Sequence, residues 1–281
     1  MIVAESPRRA ARNVEHQPEH HSARRFDPNR FRRDIETQGY AIVEDVLAAG
    51  FIRRAKEELA AAIEAEVRYH GTRDYKDYGM VLLCSLYGGA FVEIFDNDRL
   101  IAPFNAVLGD GCIVYAYTSS SMPPAGANYS TRVHVDCPRI IPGYITNLGA
   151  TILLDDFTPE NGATRFLPGS QLRDEAPSEG EFFGSAKRLI APAGSVWYFN
   201  ARIWHAGGQN RTNKWRHAMT INMCRPWMKQ RLDIPRAMGH MDTRNLSPQA
   251  LQKLGFHSQI PASYDEYYSP PEKRKFRQKT E

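Results

Sequence analysis

The 281-residue chain has only four cysteines, Cys84, Cys112, Cys137 and Cys224, which stand 28, 25 and 87 positions apart with no CxxC pair. That excludes a disulfide-stapled scaffold and reads as buried, reduced thiols in a cytoplasmic protein. Long apolar runs are missing too. No window approaches the roughly 18 uninterrupted apolar residues of a spanning helix, and Met1 to Arg25 is broken by Glu, Arg, Pro and His where a secretory signal would be apolar. The expectation is a soluble protein that does not engage a membrane. One-sided charge is also scarce. Residues 1–33 hold eight Arg against four acids and residues 271–281 hold five Lys/Arg against two Glu, so with a chain total of +4 the residues between carry −3. A basic excess confined to the ends argues against a nucleic-acid groove.

What is present suffices for a core: 42% of residues are hydrophobic, 11% aromatic and 24% charged. The organisation reads as a flexible leader over 1–25, one domain over 26–270 and a basic tail over 271–281. Asp34 to Gln38 reads as the end of a helix stopped at Gly39, followed by a strand over Tyr40 to Val43. Ile52, Ala55, Leu59, Ala62, Ile63 and Val67 then recur at three- and four-residue steps, the stripe of an amphipathic helix. From about Gly79 the period changes. Strand-like runs at Ile113–Tyr117, Arg132–Asp136, Ala150–Leu154, Thr164–Leu167, Ser195–Phe199 and Ala218–Met223 alternate with Gly/Pro turns, and some helix is expected near Ser247–Lys253. Many short strands after N-terminal helices argue for a mainly β chain with flanking helices, closed as a barrel or sandwich.

The sharpest local feature is Val133-His134-Val135-Asp136. In an extended strand, residues two apart share a face, so an imidazole nitrogen and a carboxylate oxygen stand side by side while the valines face the other way. A second imidazole, His205, follows 71 residues later at the end of the run Ser195–Trp204, just before Gly207-Gly208. Two His and one Asp on one face of an octahedron, with three positions left open, is the donor set of non-heme Fe(II) oxygenases. Eleven residues after His205 stands Arg216, in a segment that alternates as a strand. An inward guanidinium there would grip a carboxylate through two parallel hydrogen bonds.

These pieces resemble the phytanoyl-CoA dioxygenase-like family of Fe(II)- and 2-oxoglutarate-dependent oxygenases. The resemblance is carried by His134-x-Asp136, the stretch from Leu153 through Asp155-Asp156-Phe157 and Asn161-Gly162 to Pro168-Gly169-Ser170, His205, and Arg216 at a spacing of eleven. It runs from about residue 36 to 225. It implies a double-stranded β-helix, the jelly-roll or cupin-like barrel, with His134, Asp136 and His205 as iron ligands and Arg216 as partner of the distal carboxylate of 2-oxoglutarate. It further implies use of O2, release of succinate and CO2, and hydroxylation of an unactivated C–H bond of a small metabolite, with secondary metabolism as a candidate setting. Asp136 argues against a halogenating relative, in which a small residue replaces this carboxylate.

Two departures matter. Many relatives carry Ser or Thr where this chain has Gly207, so a hydrogen bond to the cosubstrate has to come from elsewhere, with Thr151 or Thr220 as candidates. Gln171 stands where relatives often have His after Pro-Gly-Ser, and it reads as part of a turn. For the substrate, Arg132, which shares strand parity with His134, is the first candidate contact, with Tyr115, Tyr117, Asn128, Arg139 and Trp204 beside it. Two other classes stay open at this point: a cupin-like hydrolase or isomerase using Zn(II) or Mn(II), and a non-catalytic member of the fold that binds a ligand. A small molecule is the only partner implied, and nothing in the chain specifies an oligomeric state.

Overall fold

The computed structural model describes residues 26–274; the leader over 1–25 and residues 275–281 of the basic tail lie outside the described residues. Helix α1 (Pro28–Thr37) begins where Asp27 accepts hydrogen bonds from the backbone N–H groups of Asn29 and Arg30 at 3.0 and 3.1 Å, with Pro28 supplying a helical φ at the first position. Gly39, at φ +85°, ends it in the left-handed region that glycine tolerates and delivers the chain into β1 (Tyr40–Val43). In α2 (Ala49–His70) the stripe Ala55, Leu59, Ala62 and Ile63 is buried, as the spacing predicts.

A helical stretch follows that alternation does not reveal. A short α3 (Ala90–Glu93) leads into α4 (Asp98–Leu108), capped by the Asn97 side chain on the Leu100 N–H at 3.2 Å. Its buried residues Leu100, Ile101, Phe104, Val107 and Leu108 do have helical spacing, but Pro103 in the middle disguises it. The strands are β2 (Ile113–Ser119), β3 (Asn147–Leu153), β4 (Arg165–Phe166), β5 (Lys187–Arg188), β6 (Val196–Asn200), β7 (His205–Ala206) and β8 (Ala218–Cys224), with α5 (Glu179–Ser185) between β4 and β5. Beyond β8 come α6 (Ile234–Ala237), α7 (Pro248–Leu254) and α8 (Tyr264–Tyr267). The molecule thus mixes helix and sheet more evenly than a mainly β chain would. Among the described residues no helix is long and apolar enough to cross a membrane, and all four cysteines are free, Cys137 half-buried and the others buried.

Two antiparallel sheets form, one in the order β1-β6-β3-β8-β2 and one in the order β5-β4-β7, and they do not join into a closed barrel among the described residues. The larger sheet is two-faced with a period of two. Tyr198, Ala150, Ile221 and Tyr117 belong to the apolar core shared with α1, α2 and α4, where Phe31 meets Tyr198 edge-on at 5.3 Å. The opposite face carries two rows set by the register: Trp197, Thr151, Thr220 and Thr118, then Phe199, Gly149, Asn222 and Ala116. An aromatic wedge joins this face to the smaller sheet, with Phe166 of β4 5.0 Å from Trp197 and Trp197 stacked on Phe199 at 4.2 Å.

Two expectations need correction. The run Arg132–Asp136 is not a strand; it is a loop pinned by one isolated antiparallel bridge between His134 and His205. In β2 the pairing shifts between Val114 and Ala116, so Tyr115 is an extra residue and the parity flips after it. Tyr117 therefore turns into the core, while the sequence alternation puts it with Tyr115.

Gly149 tests this packing. A Cβ there would lie 2.2 to 2.6 Å from carbons of the Phe199 ring, so although alanine is the better strand residue, Gly149→Ala should destabilise by about 1–3 kcal/mol through overpacking. Denaturant unfolding reads this, and adding Phe199→Leu should recover part of the loss. A Gly149→Ala protein as stable as the parent contradicts the close approach.

Candidate metal centre

His134 and His205 are brought together by backbone geometry. Each donates its N–H to the carbonyl of the other, at 2.9 and 3.0 Å, and the paired residues hold their imidazole centroids 4.3 Å apart. Two residues on, the N–H groups of Asp136 and Cys137 both donate to the carbonyl of Ala201, at 2.8 and 3.0 Å, which fixes the loop beneath the carboxylate. Asp136 Oδ1 then lies 3.5 Å from His134 Nε2 and 3.8 Å from His205 Nε2. One ligand atom from each of the three residues falls within 4.8 Å of the others, and no other cluster of three or more His, Cys, Asp or Glu with this geometry occurs among the described residues.

The outer hydrogen bonds set the protonation of this triad. His134 Nδ1 faces the Arg132 carbonyl at 2.6 Å and His205 Nδ1 faces the Ile203 carbonyl at 3.0 Å. A carbonyl only accepts, so each Nδ1 carries a proton and each Nε2 is the ring nitrogen that faces inward. Burial pulls the His205 pKa down to about 4, with the charge of Asp136 opposing only in part, so this imidazole is neutral. For His134, burial also pulls downward, but the hydrogen bond and charge of Asp136 together with the Arg132 carbonyl outweigh it and raise the group above its ordinary value. Burial pushes Asp136 up, yet His134, His205 and the Asn222 amide hold its carboxyl below the usual range.

The triad opens onto a cavity of about 420 Å³ whose wall includes the cavity face of the large sheet and Arg216. Arg216 is 2% exposed. It sits just before β8, where its backbone pairs reciprocally with Met122. Its Nη2 donates to the Ser120 carbonyl at 2.8 Å, its guanidinium lies 4.2 Å over the Phe157 ring, and its Nε is buried with no partner. Burial lowers its pKa to about 9 against the opposing charge of Asp155, which leaves it cationic at neutral pH. Asp155 itself pairs with Lys56. A buried cation served by a carbonyl and a ring, with no carboxylate paired to it among the described residues, is suited to an anion arriving from the cavity. Thr151 and the pair Thr220 and Ser120, joined at 3.1 Å, add hydroxyls to the same wall.

The remaining sequence candidates divide. Arg132 lies on the cavity wall, exposed, with its guanidinium 4.5 Å over the Tyr129 ring. Tyr117 lies in the core, its hydroxyl on Met219 Sδ at 3.4 Å. Asn128 is buried, donating to the Ser121 carbonyl at 2.8 Å and accepting from Ser130, and serves its own loop. Trp204 packs with Val133, Leu167 and Phe182, away from the cavity. Arg139 lines a second cavity of about 660 Å³ instead. Tyr115 lines the same cavity as the triad, as the sequence suggests; sequence reasoning missed Arg231, which also lines it, and Asn222, which donates to Asp136 Oδ2 at 3.2 Å. The legible signal for Asn222 was polar alternation with Thr220 in an otherwise apolar strand. At Gly207, a Cβ would meet Ser130 Oγ and Met122 Cε at 2.7 Å, so a hydroxyl from Ser130 fills the place where a side chain at 207 would project.

A family model described as Phytanoyl-CoA dioxygenase (PhyH) matches residues 35–218. An uncharacterised protein of Mycobacterium tuberculosis is 29% identical over 247 residues, covering 85% of this chain and 90% of its own. A dioxygenase of Alternaria alternata is 28% identical over 260 residues, covering 80% and 81%. Among solved structures, AviO1 from Streptomyces viridochromogenes superposes with a TM-score of 0.59 at 22% identity over 72% of this chain and 97% of that one. The epimerase SnoN, solved in complex with Fe3+, alpha ketoglutarate and nogalamycin RO, gives 0.55 at 20% identity over 71% and 84%. At these identities the structural likeness concerns the fold.

Since His205 is already neutral and His134 is held above its ordinary value, a divalent metal has to displace one proton, from His134. Affinity for Mn(II) should rise up to about tenfold per pH unit below the His134 pKa and level off above it. Titration calorimetry in buffers of different ionisation enthalpy should show proton release on Mn(II) binding that falls as the pH rises from about 6 to about 8.5. An affinity that is flat across this range contradicts the assignment.

Proposed function

The chain belongs to the phytanoyl-CoA dioxygenase family, and from that premise we propose that it is an Fe(II)- and 2-oxoglutarate-dependent dioxygenase that hydroxylates a C–H bond of a small metabolite on a double-stranded β-helix frame. The carrying observation is the buried guanidinium of Arg216, with a partnerless Nε and no carboxylate paired to it among the described residues, in the same cavity as the His134, Asp136 and His205 donors. Two facing antiparallel sheets with the donors between them agree with the frame. Dioxygenase-named relatives support the reaction class, and a fold neighbour solved with Fe3+ and alpha ketoglutarate supports the cofactor pair.

The donors fit the metal. Two imidazoles that each present Nε2, that of His134 after losing its proton, and one carboxylate, without a fourth protein ligand among the described residues, suit an ion that must keep positions free for other ligands. Iron, when bound, supplies the redox chemistry by which O2 and 2-oxoglutarate become succinate, CO2 and the oxygen inserted into the C–H bond. The rest is work for this chain's residues. Arg216 offers Nε and Nη groups to the distal carboxylate of the cosubstrate, and Thr151, Thr220 and Ser120 offer hydroxyls along its length. Trp197 and Phe199 wall the His205 side, with ring centroids 5.9 and 5.2 Å from the imidazole, and exclude water from the reacting carbon. A hydrolase using the same metal ligands would not need Arg216 for a cosubstrate.

Protein loaded with Fe(II) without oxygen and then exposed to air should convert 2-oxoglutarate to succinate. Arg216→Ala should retain the metal and lose at least about 30-fold in kcat/KM for 2-oxoglutarate, the effect of removing one partner of a buried charge pair. Asp136→Ala should lose both metal and turnover. Equal succinate formation by all three proteins removes the oxygenase reading.

A further inference from the structure

The Asp136 carboxylate uses its two oxygens differently. Oδ1 faces both imidazole nitrogens, whereas Oδ2 accepts a hydrogen bond from Asn222 Nδ2 at 3.2 Å. Behind it, Asn222 Oδ1 accepts from Asn147 Nδ2 at 3.1 Å. Asn147 and Asn222 are 2% and 4% exposed, and they lie on adjacent strands, β3 and β8, in a fixed register. We propose that Asn222, itself oriented by Asn147, is a positioning residue that restricts Asp136 to a single metal-facing oxygen.

The relay has only one consistent direction. An ionised carboxylate accepts and cannot donate, so Asn222 must turn its NH2 to Asp136 and its oxygen away. That oxygen needs a donor, so Asn147 must turn its NH2 inward. Asn147 Oδ1 then meets no donor among the described residues, and its residue lines the second cavity rather than the metal cavity. Turning Asn222 over would set its oxygen against the carboxylate, and turning Asn147 over would set the two amide oxygens face to face. The surplus acceptor is therefore displaced to the end of the relay farthest from the metal site, which keeps the inner end in order.

The consequence is countable. Held at Oδ2, the carboxylate cannot swing to offer both oxygens to one ion, so three side chains occupy three positions of an octahedron and leave three. On the proposed reading the three positions would be left for 2-oxoglutarate and O2, and a carboxylate offering both oxygens would remove one. This inference rests on the metal and cosubstrate reading above, because it describes how many positions that reading can use.

Mn(II) is the probe. Water-proton relaxation and electron-nuclear double resonance count the exchangeable water ligands on Mn(II) bound to the protein. The parent should show about three. Asn222→Leu should show about one fewer, with a roughly tenfold weaker Kd for 2-oxoglutarate on the Mn(II) protein. Asn147→Leu, which leaves Asn222 in place but unsupported, should shift both readings in the same direction by less. A purely structural role would lower the melting temperature of the metal-free variant and its metal occupancy without changing the water count on the sites that fill. If Asn222→Leu does not fold, Asn147→Leu decides by the same two readings. An unchanged water count and unchanged 2-oxoglutarate affinity in a folded variant overturn the relay while leaving the metal reading intact. A parent protein that binds no Mn(II) overturns both.

Discussion

The site depends on one pair of backbone hydrogen bonds, those that His134 and His205 exchange across 71 residues of chain. Without them the two imidazoles belong to separate segments, a loop and the end of a two-residue strand, neither rigid enough to hold a ligand geometry. With them the rings face a common point, and the carbonyls of Arg132 and Ile203 fix which nitrogen is bare. The same bridge ties the loop to the small sheet, which the aromatic wedge of Phe166, Trp197 and Phe199 presses against the large one. Hydrophobic packing thus determines the distance between sheets, and the backbone bridge sets the distance between ligands.

Electrostatics adds a second constraint. Arg216 is a cation held away from water with no carboxylate paired to it among the described residues, and Asp136 puts an ionised carboxylate at the other end of the same cavity. Such a cavity is incomplete by itself. A dianion that neutralises the guanidinium at one end and meets a divalent metal at the other completes it, while a neutral ligand would leave the cation without an anionic partner.

Much of this was legible in the sequence, for identifiable physical reasons. Alternation marked Ala150–Leu154, Ser195–Phe199 and Ala218–Met223, all of which fall on β3, β6 and β8, and helical spacing marked α2. The cluster of His134, Asp136 and His205 was legible because metal chemistry restricts residue type as well as spacing. The sequence was misleading where backbone irregularity mattered. The bulge at Tyr115 reverses parity and sends Tyr117 inward; the loop at Arg132–Asp136 is extended only at its one bridge; and Pro103 hides α4. Asn128, Trp204 and Arg139 stand near the motifs in sequence, but their side chains serve a loop, an apolar cluster and a different cavity. Asn222 escaped because its importance lies in which oxygen it touches, and no periodicity reports that.

The most direct measurement is an anaerobic crystal structure of the protein soaked with Mn(II) and 2-oxoglutarate. The account predicts one ion held by His134 Nε2, Asp136 Oδ1 and His205 Nε2, chelated by the cosubstrate, whose far carboxylate rests on the Arg216 guanidinium. An ion bound elsewhere, or a cosubstrate whose far carboxylate ignores Arg216, would contradict it.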